Sequence, residues 1–164
     1  MRDDPTSGVL LVGSSQRYAD FQGLGDITEY CTELVRTIRK STKHPVIYRP
    51  KPRWKEAVPI ADAEFSCPPS TLEDELKTAW ATVTFGSGAA VYSILAGVPV
   101  VEVLDGIAAP VSLSSIQALR DEPLQYPSDE LVDQWLANLA YCQWTLAEIA
   151  SGVMWKHLRK TVLK

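Results

Sequence analysis

The first strong signal along the chain is GVLLV, Gly8 to Val12, an apolar run without alternation. Such a run predicts a strand covered on both faces. It ends in Gly13-Ser14-Ser15 and a loop containing Gly-Leu-Gly-Asp. Asp26 and Glu29 then form an N-cap pattern, and Ile27, Tyr30, Cys31, Leu34, Val35 and Ile38 trace the apolar stripe of a helix. PVIY follows as a short strand, and Pro50 and Pro52, lacking amide donors, end its pairing. EFSCPPS predicts another short strand and a turn, with Ser70 and Glu73 as the capping box of a helix over TLEDELKTAW. ATVTF is a buried strand, GSG a tight turn, AAVYSILA a helix stopped by Gly97, and VPVVEV the next strand. DGIAAPVSLSSIQALRDEPLQYP is loop-rich with one helical turn, and from Ser128 the pattern is helical, broken at Ser151-Gly152.

Short apolar strands alternating with helical patterns define an α/β fold, a Rossmann-like parallel sheet with flanking helices. A chain of 164 residues is the length of one domain. The expectation is therefore a single domain over 1–164, with 128–164 as a helical C-terminal flank. Trp80, Trp135, Trp144 and Trp155 fit apolar stripes and are expected in the core.

Composition narrows the function classes. Hydrophobic residues make up 46% and charged residues 22%, ordinary for a globular protein. No apolar run reaches the length of a membrane span, and the N-terminus lacks a signal-peptide core, so the chain is expected in the cytosol. Cys31, Cys67 and Cys142 are odd in number and far apart, with no CxxC and no partnered histidines. They are expected as buried small hydrophobes, with no metal site and no cofactor. Net charge is -4 and the pI near 5.2, which argues against general nucleic-acid coating and leaves only a local basic patch for that role.

Such a patch exists in YRPKPRWK, where Arg49, Lys51, Arg53 and Lys55 alternate with Pro50, Pro52 and Trp54. The segment leaves the carboxyl end of a strand, where open α/β sheets place ligands. Two further strand ends meet it there, Gly13-Ser14-Ser15 and Gly86-Ser87-Gly88. In the second, glycines open the backbone amides and a helix starts at once, a combination suited to an anion. Ser87 either caps that helix or donates its hydroxyl to the ligand. Arg49 and Lys51 are expected to face the anion, with Arg53 and Lys55 in solvent, while Trp54 either stacks on a base or is an exposed loop residue. Asp105, ending the strand VPVVEV, is the candidate for a ribose or sugar hydroxyl. GSGAAV begins like a dinucleotide fingerprint, but Val91 holds its third glycine position, and no P-loop is present. His44 sits at the distal end of its strand, His157 lies among lysines, and no catalytic residue is assigned.

VIYRPKP followed by VTFGSGAAVYSILAGVPVV resembles the C-terminal, donor-binding half of GT-B glycosyltransferases, most closely the branch of capsule Kdo transferases and polysialyltransferases. Arg49, Pro50 and Pro52 match that family's motif, Ser87 matches its loop serine, and Lys51 stands where the family has histidine. LLVGSSQRY corresponds to the first strand and loop of that half. The helical end is similar to that of phage-encoded proteins of this type. The resemblance implies a nucleotide-sugar site and a partner, an N-terminal domain or a second copy, to complete transfer. Two other readings stand beside it: a non-catalytic module binding a nucleotide or nucleotide sugar, and a partner- or DNA-binding protein using the 49–55 loop.

Overall fold

A computed structural model describes residues 7–66, 68–120 and 123–162. Five strands, β1 (Gly8–Val12), β2 (Val46–Arg49), β3 (Glu64–Phe65), β4 (Ala79–Thr84) and β5 (Val100–Glu102), form one all-parallel sheet in the order β3-β2-β1-β4-β5. The helices are α1 (Gln16–Gln22), α2 (Ile27–Ser41), α3 (Leu72–Leu76), α4 (Ala89–Leu95), α5 (Asp129–Tyr141), α6 (Leu146–Ala150) and α7 (Val153–Val162). The fold is α/β, a Rossmann-like half-domain with a helical C-terminal region. It divides into two compact units, Met1–Pro127 and Ser128–Lys164.

Alternation along the strands builds the core on both sides of the sheet. Val9 and Leu11 of β1 join Val46 and Tyr48 of β2 and Ala81 and Val83 of β4 in a cluster with Cys31, Leu34, Val35 and Ile38 of α2. Leu10 and Val12 point the other way, packing with Leu76, Ala79, Ala89 and Val98. On that face β4 presents hydroxyls: Ser93 Oγ of α4 lies 3.0 Å from Thr82 Oγ1 and 2.9 Å from the Ala89 carbonyl, all buried. Strand β4 is therefore buried throughout, with Ala81 and Val83 on one face and the hydroxyls of Thr82 and Thr84 on the other.

Helix α2 starts as its sequence dictates, with the Asp26 carboxylate accepting from the Thr28 and Glu29 amides at 2.8 and 2.9 Å. Elsewhere boundaries move. The loop after β1 contains α1, whose only buried residue is Ala19, so no apolar stripe announces it. Its Gln16 side chain accepts from the Ile27 amide at 3.0 Å and donates to the Gly25 carbonyl at 2.9 Å, holding the entry to α2. Helix α3 is capped by Thr71, not Ser70, and ends at Leu76. Trp80 belongs to β4, where its ring stacks on His44 at 4.0 Å. The tail breaks a second time at Cys142–Thr145, and Thr145 with Glu148 forms the capping box of α6.

Trp80 and Trp135 are buried, Trp144 is half-buried, and Trp155 is 60% exposed against the core placement expected for it. Of the cysteines, Cys31 is buried, Cys142 is exposed as the C-cap of α5, and Cys67 lies outside the described residues. Burial pushes the Cys31 thiol up to about 12, despite a side-chain hydrogen bond with Tyr48 that works in the opposite direction. Alkylation of the folded protein with iodoacetamide at pH of about 8 should modify Cys142 and spare Cys31, since only a thiolate reacts. Peptide mapping reads the result, and rapid labelling of Cys31 would contradict this packing.

Candidate functional site

Between β1 and β4 the strand order reverses, and at that point an open parallel sheet leaves a crevice at its carboxyl edge. A cleft of about 380 Å³ occupies this place, lined by Gly13 and Ser14 after β1, Arg49 to Pro52 after β2, and Gly86 to Ala89 after β4. Tyr18, Leu72 and Tyr92 complete its walls with Val12. The volume lies within the range of small-molecule sites. Of the residues singled out from sequence, Gly13, Ser14, Arg49, Lys51, Gly86, Ser87 and Gly88 come together here. Ser15 stands just outside as the N-cap of α1, and Asp105 is exposed beyond β5, outside the lining.

Two glycines fit the walls in ways no other residue does. At Gly86, φ is +71°, and a Cβ would coincide with the Tyr18 hydroxyl. At Gly13 a Cβ would come within 2.8 Å of the Tyr48 ring, which supports the β1 loop from below. Gly88 differs, because a Cβ there would meet nothing within 4 Å and would project into open space.

The Gly86–Gly88 turn carries the polar geometry. The Gly86 amide donates to Glu102 Oε1 at 2.9 Å, and Thr84 Oγ1 donates to the same oxygen at 2.9 Å. The amides of Ser87 and Gly88 have no hydrogen-bond partner among the described residues, so two consecutive donors stand open. Gly88, not Ser87, is the N-cap residue of α4. Ser87 Oγ instead accepts from the Ala89 amide at 3.2 Å, which leaves its hydroxyl proton free to donate. Helix α4 has only seven residues, so the open amides and Lys51, more than a long helix dipole, supply the positive character.

The cations divide sharply. Period-two alternation that sends Val46 and Tyr48 to the α2 side sends Arg49 to the opposite face, under α3. Its guanidinium meets Glu75 Oε1 at 2.8 Å and donates to the Ser70 carbonyl at 3.1 Å, with both charged side chains 9% exposed. Ser66 and Ser70 hydroxyls also point to Glu75 Oε1. Arg49 thus lines the cleft while its guanidinium is held in a buried ion pair. Its carbonyl also accepts from the Gly13 amide at 2.8 Å, tying the two loops together. Lys51 is exposed on the lining, with no ion pair among the described residues, while Arg53 and Lys55 are exposed and not among the lining residues. Trp54 is half-buried and packs against the main core cluster.

Glu102 is the residue that sequence reasoning passed over in favour of Asp105. It ends β5 and its Oε1 is doubly bound, while Oε2 is buried without a partner among the described residues. A Cβ at Gly106 would fall onto this carboxylate, so the glycine lets the loop close over it. The signal was present as an acid terminating a short buried strand. His44 lies at the opposite edge of the sheet, its Nδ1 donating to the Ser7 carbonyl at 2.7 Å. Among the described residues no group of three metal-ligating side chains occurs, and no helix is long and apolar enough to cross a membrane. Comparison with protein families, curated proteins and solved structures finds no match to the chain.

Removing one member of a buried ion pair strands the other without compensation. Arg49→Met or Glu75→Met alone should therefore cost about 3–5 kcal/mol in urea unfolding. The double substitution should recover most of that loss, because neither charge is then left buried. Simple additivity of the two single losses would show that the pair is not coupled.

Proposed function

We propose that the cleft binds the phosphate of a nucleotide or nucleotide sugar, and that the chain is the donor-binding part of a GT-B-type glycosyltransferase. One observation carries the reading: Ser87 and Gly88, whose amides have no partner among the described residues, line the same cleft as Ser14 and Lys51, at the switch point of the sheet. Consecutive amides with a nearby ammonium match the oxygen geometry and charge of a phosphoryl group. The likeness of VIYRPKP and VTFGSGAAVYSILAGVPVV to the GT-B donor half supports the same ligand class. In this arrangement Lys51 takes the role of the phosphate cation, and Arg49 fixes the loop that presents it.

Among the described residues the cleft lining contains no carboxylate and no imidazole. That favours a chain that binds donor without transferring it, with the general base supplied by an N-terminal domain or a second copy. The same observation supports the plainer alternative of a non-catalytic nucleotide-binding module.

The test uses CMP, UDP, GDP and their sugars in isothermal titration against the 164-residue chain. Ser87→Ala should weaken binding about tenfold, the loss of one hydrogen bond to a charged group. Gly88→Val should abolish binding with little change in melting temperature, because Gly88 lines the cleft and a Cβ added there meets no protein atom within 4 Å. A folded Gly88→Val variant that binds as well as wild type would remove the site.

A further inference from the structure

At the edge of the sheet opposite the cleft, α2 ends beside the 3₁₀ turn Ile116–Arg120. The two elements share one core, in which Ile38 and Leu34 pack with Ile116 and Leu119. Their surface encloses a concavity of about 510 Å³ whose charged lining, among the described residues, is cationic: Arg39, Lys40, Lys43 and Arg120. None of the four has an acidic partner among the described residues. In a chain with 16 basic and 20 acidic side chains, four cations line this one hollow, none of them paired among the described residues.

Helix capping accounts for part of this cluster only. Arg39 and Lys40 lie in the last turn of α2, where cations offset the negative end of the helix. Arg120 arrives from a separate element, and the buried Leu119 beside it fixes its backbone close to the other three. The mutual repulsion of four such charges is relieved by a ligand carrying several anions. The lining also limits what that ligand is. Leu119 is its one large apolar residue and it has no aromatic, so it offers neither an anchor pocket for a peptide nor a ring on which a base stacks. What it offers is charge at several points, which reads a sugar-phosphate backbone without reading sequence.

We propose that this hollow is a sequence-independent contact site for the phosphate backbone of nucleic acid, separate from the cleft and independent of the ligand assigned there. It stands apart from the 49–55 loop, where Arg49 is neutralised by Glu75 and Lys51 lines the cleft. The probe is a fluorescein-labelled DNA duplex of about twenty base pairs, titrated with the full chain from about 50 to 200 mM KCl. Engagement of all four cations predicts a slope of log K against log salt of about −3.6, and Arg120→Gln should reduce its magnitude by about 0.9. Substituting all four by glutamine should abolish binding with the melting temperature retained, while Arg53→Gln with Lys55→Gln should change nothing. Absence of duplex binding by wild type at about 50 mM KCl, or binding by the fourfold variant equal to wild type, would overturn the proposal. Displacement of the duplex by poly-glutamate at equal charge concentration would overturn it in favour of an acidic protein partner.

Discussion

Burial of β1 on both faces is the constraint from which the remaining architecture follows. A strand with Val9 and Leu11 on one side and Leu10 and Val12 on the other needs a cover on each. Helix α2 supplies the first and the α3–α4 layer the second. Parallel neighbours stand on both edges: β1 leads through α1 and α2 to β2, whereas its other neighbour β4 leads through α4 to β5, so the loops leaving β1 and β4 diverge. The cleft is the space left by that divergence. Its position is a topological result of the core, before any side chain in it is considered.

The parts of the fold legible in the sequence are those where pattern and burial coincide. GVLLV, the stripe of α2 and the Gly-Ser-Gly turn each carry a local signal that tertiary packing reinforces, and the three strand-end loops they define do converge. What escaped is set by distant partners. Helix α1 buries only Ala19 and is held by Gln16 reaching to the α2 entry, a contact with no periodic trace. β4 starts early, at Ala79, and Trp80 there stacks on His44, a distant partner with no trace in the local pattern. Trp155 occupies an apolar position on its helix, yet its side chain remains in solvent.

Arg49 and Glu102 show how charge is misread when only its neighbourhood in sequence is known. Arg49 stands among three other cations at a strand end and looks like a ligand residue. Its parity along β2, however, directs it beneath α3, where Glu75 completes an interior ion pair that joins the sheet to its covering layer. Glu102 stands in an apolar strand and looks incidental, whereas its carboxylate supports the loop that forms the cleft floor. Both side chains act on the site through the backbone they hold.

The support given by Glu102 has a kinetic meaning. The Gly86 amide and the Thr84 hydroxyl converge on one carboxylate oxygen, and Gly106 closes over the group from outside. The turn bearing the open amides is therefore fixed before any ligand arrives, and docking does not have to immobilise it. Receptors organised in advance associate at rates governed by encounter and steering, and differences among their ligands fall mainly on departure. For the ligand class proposed for this cleft, discrimination between related members is accordingly expected in residence time.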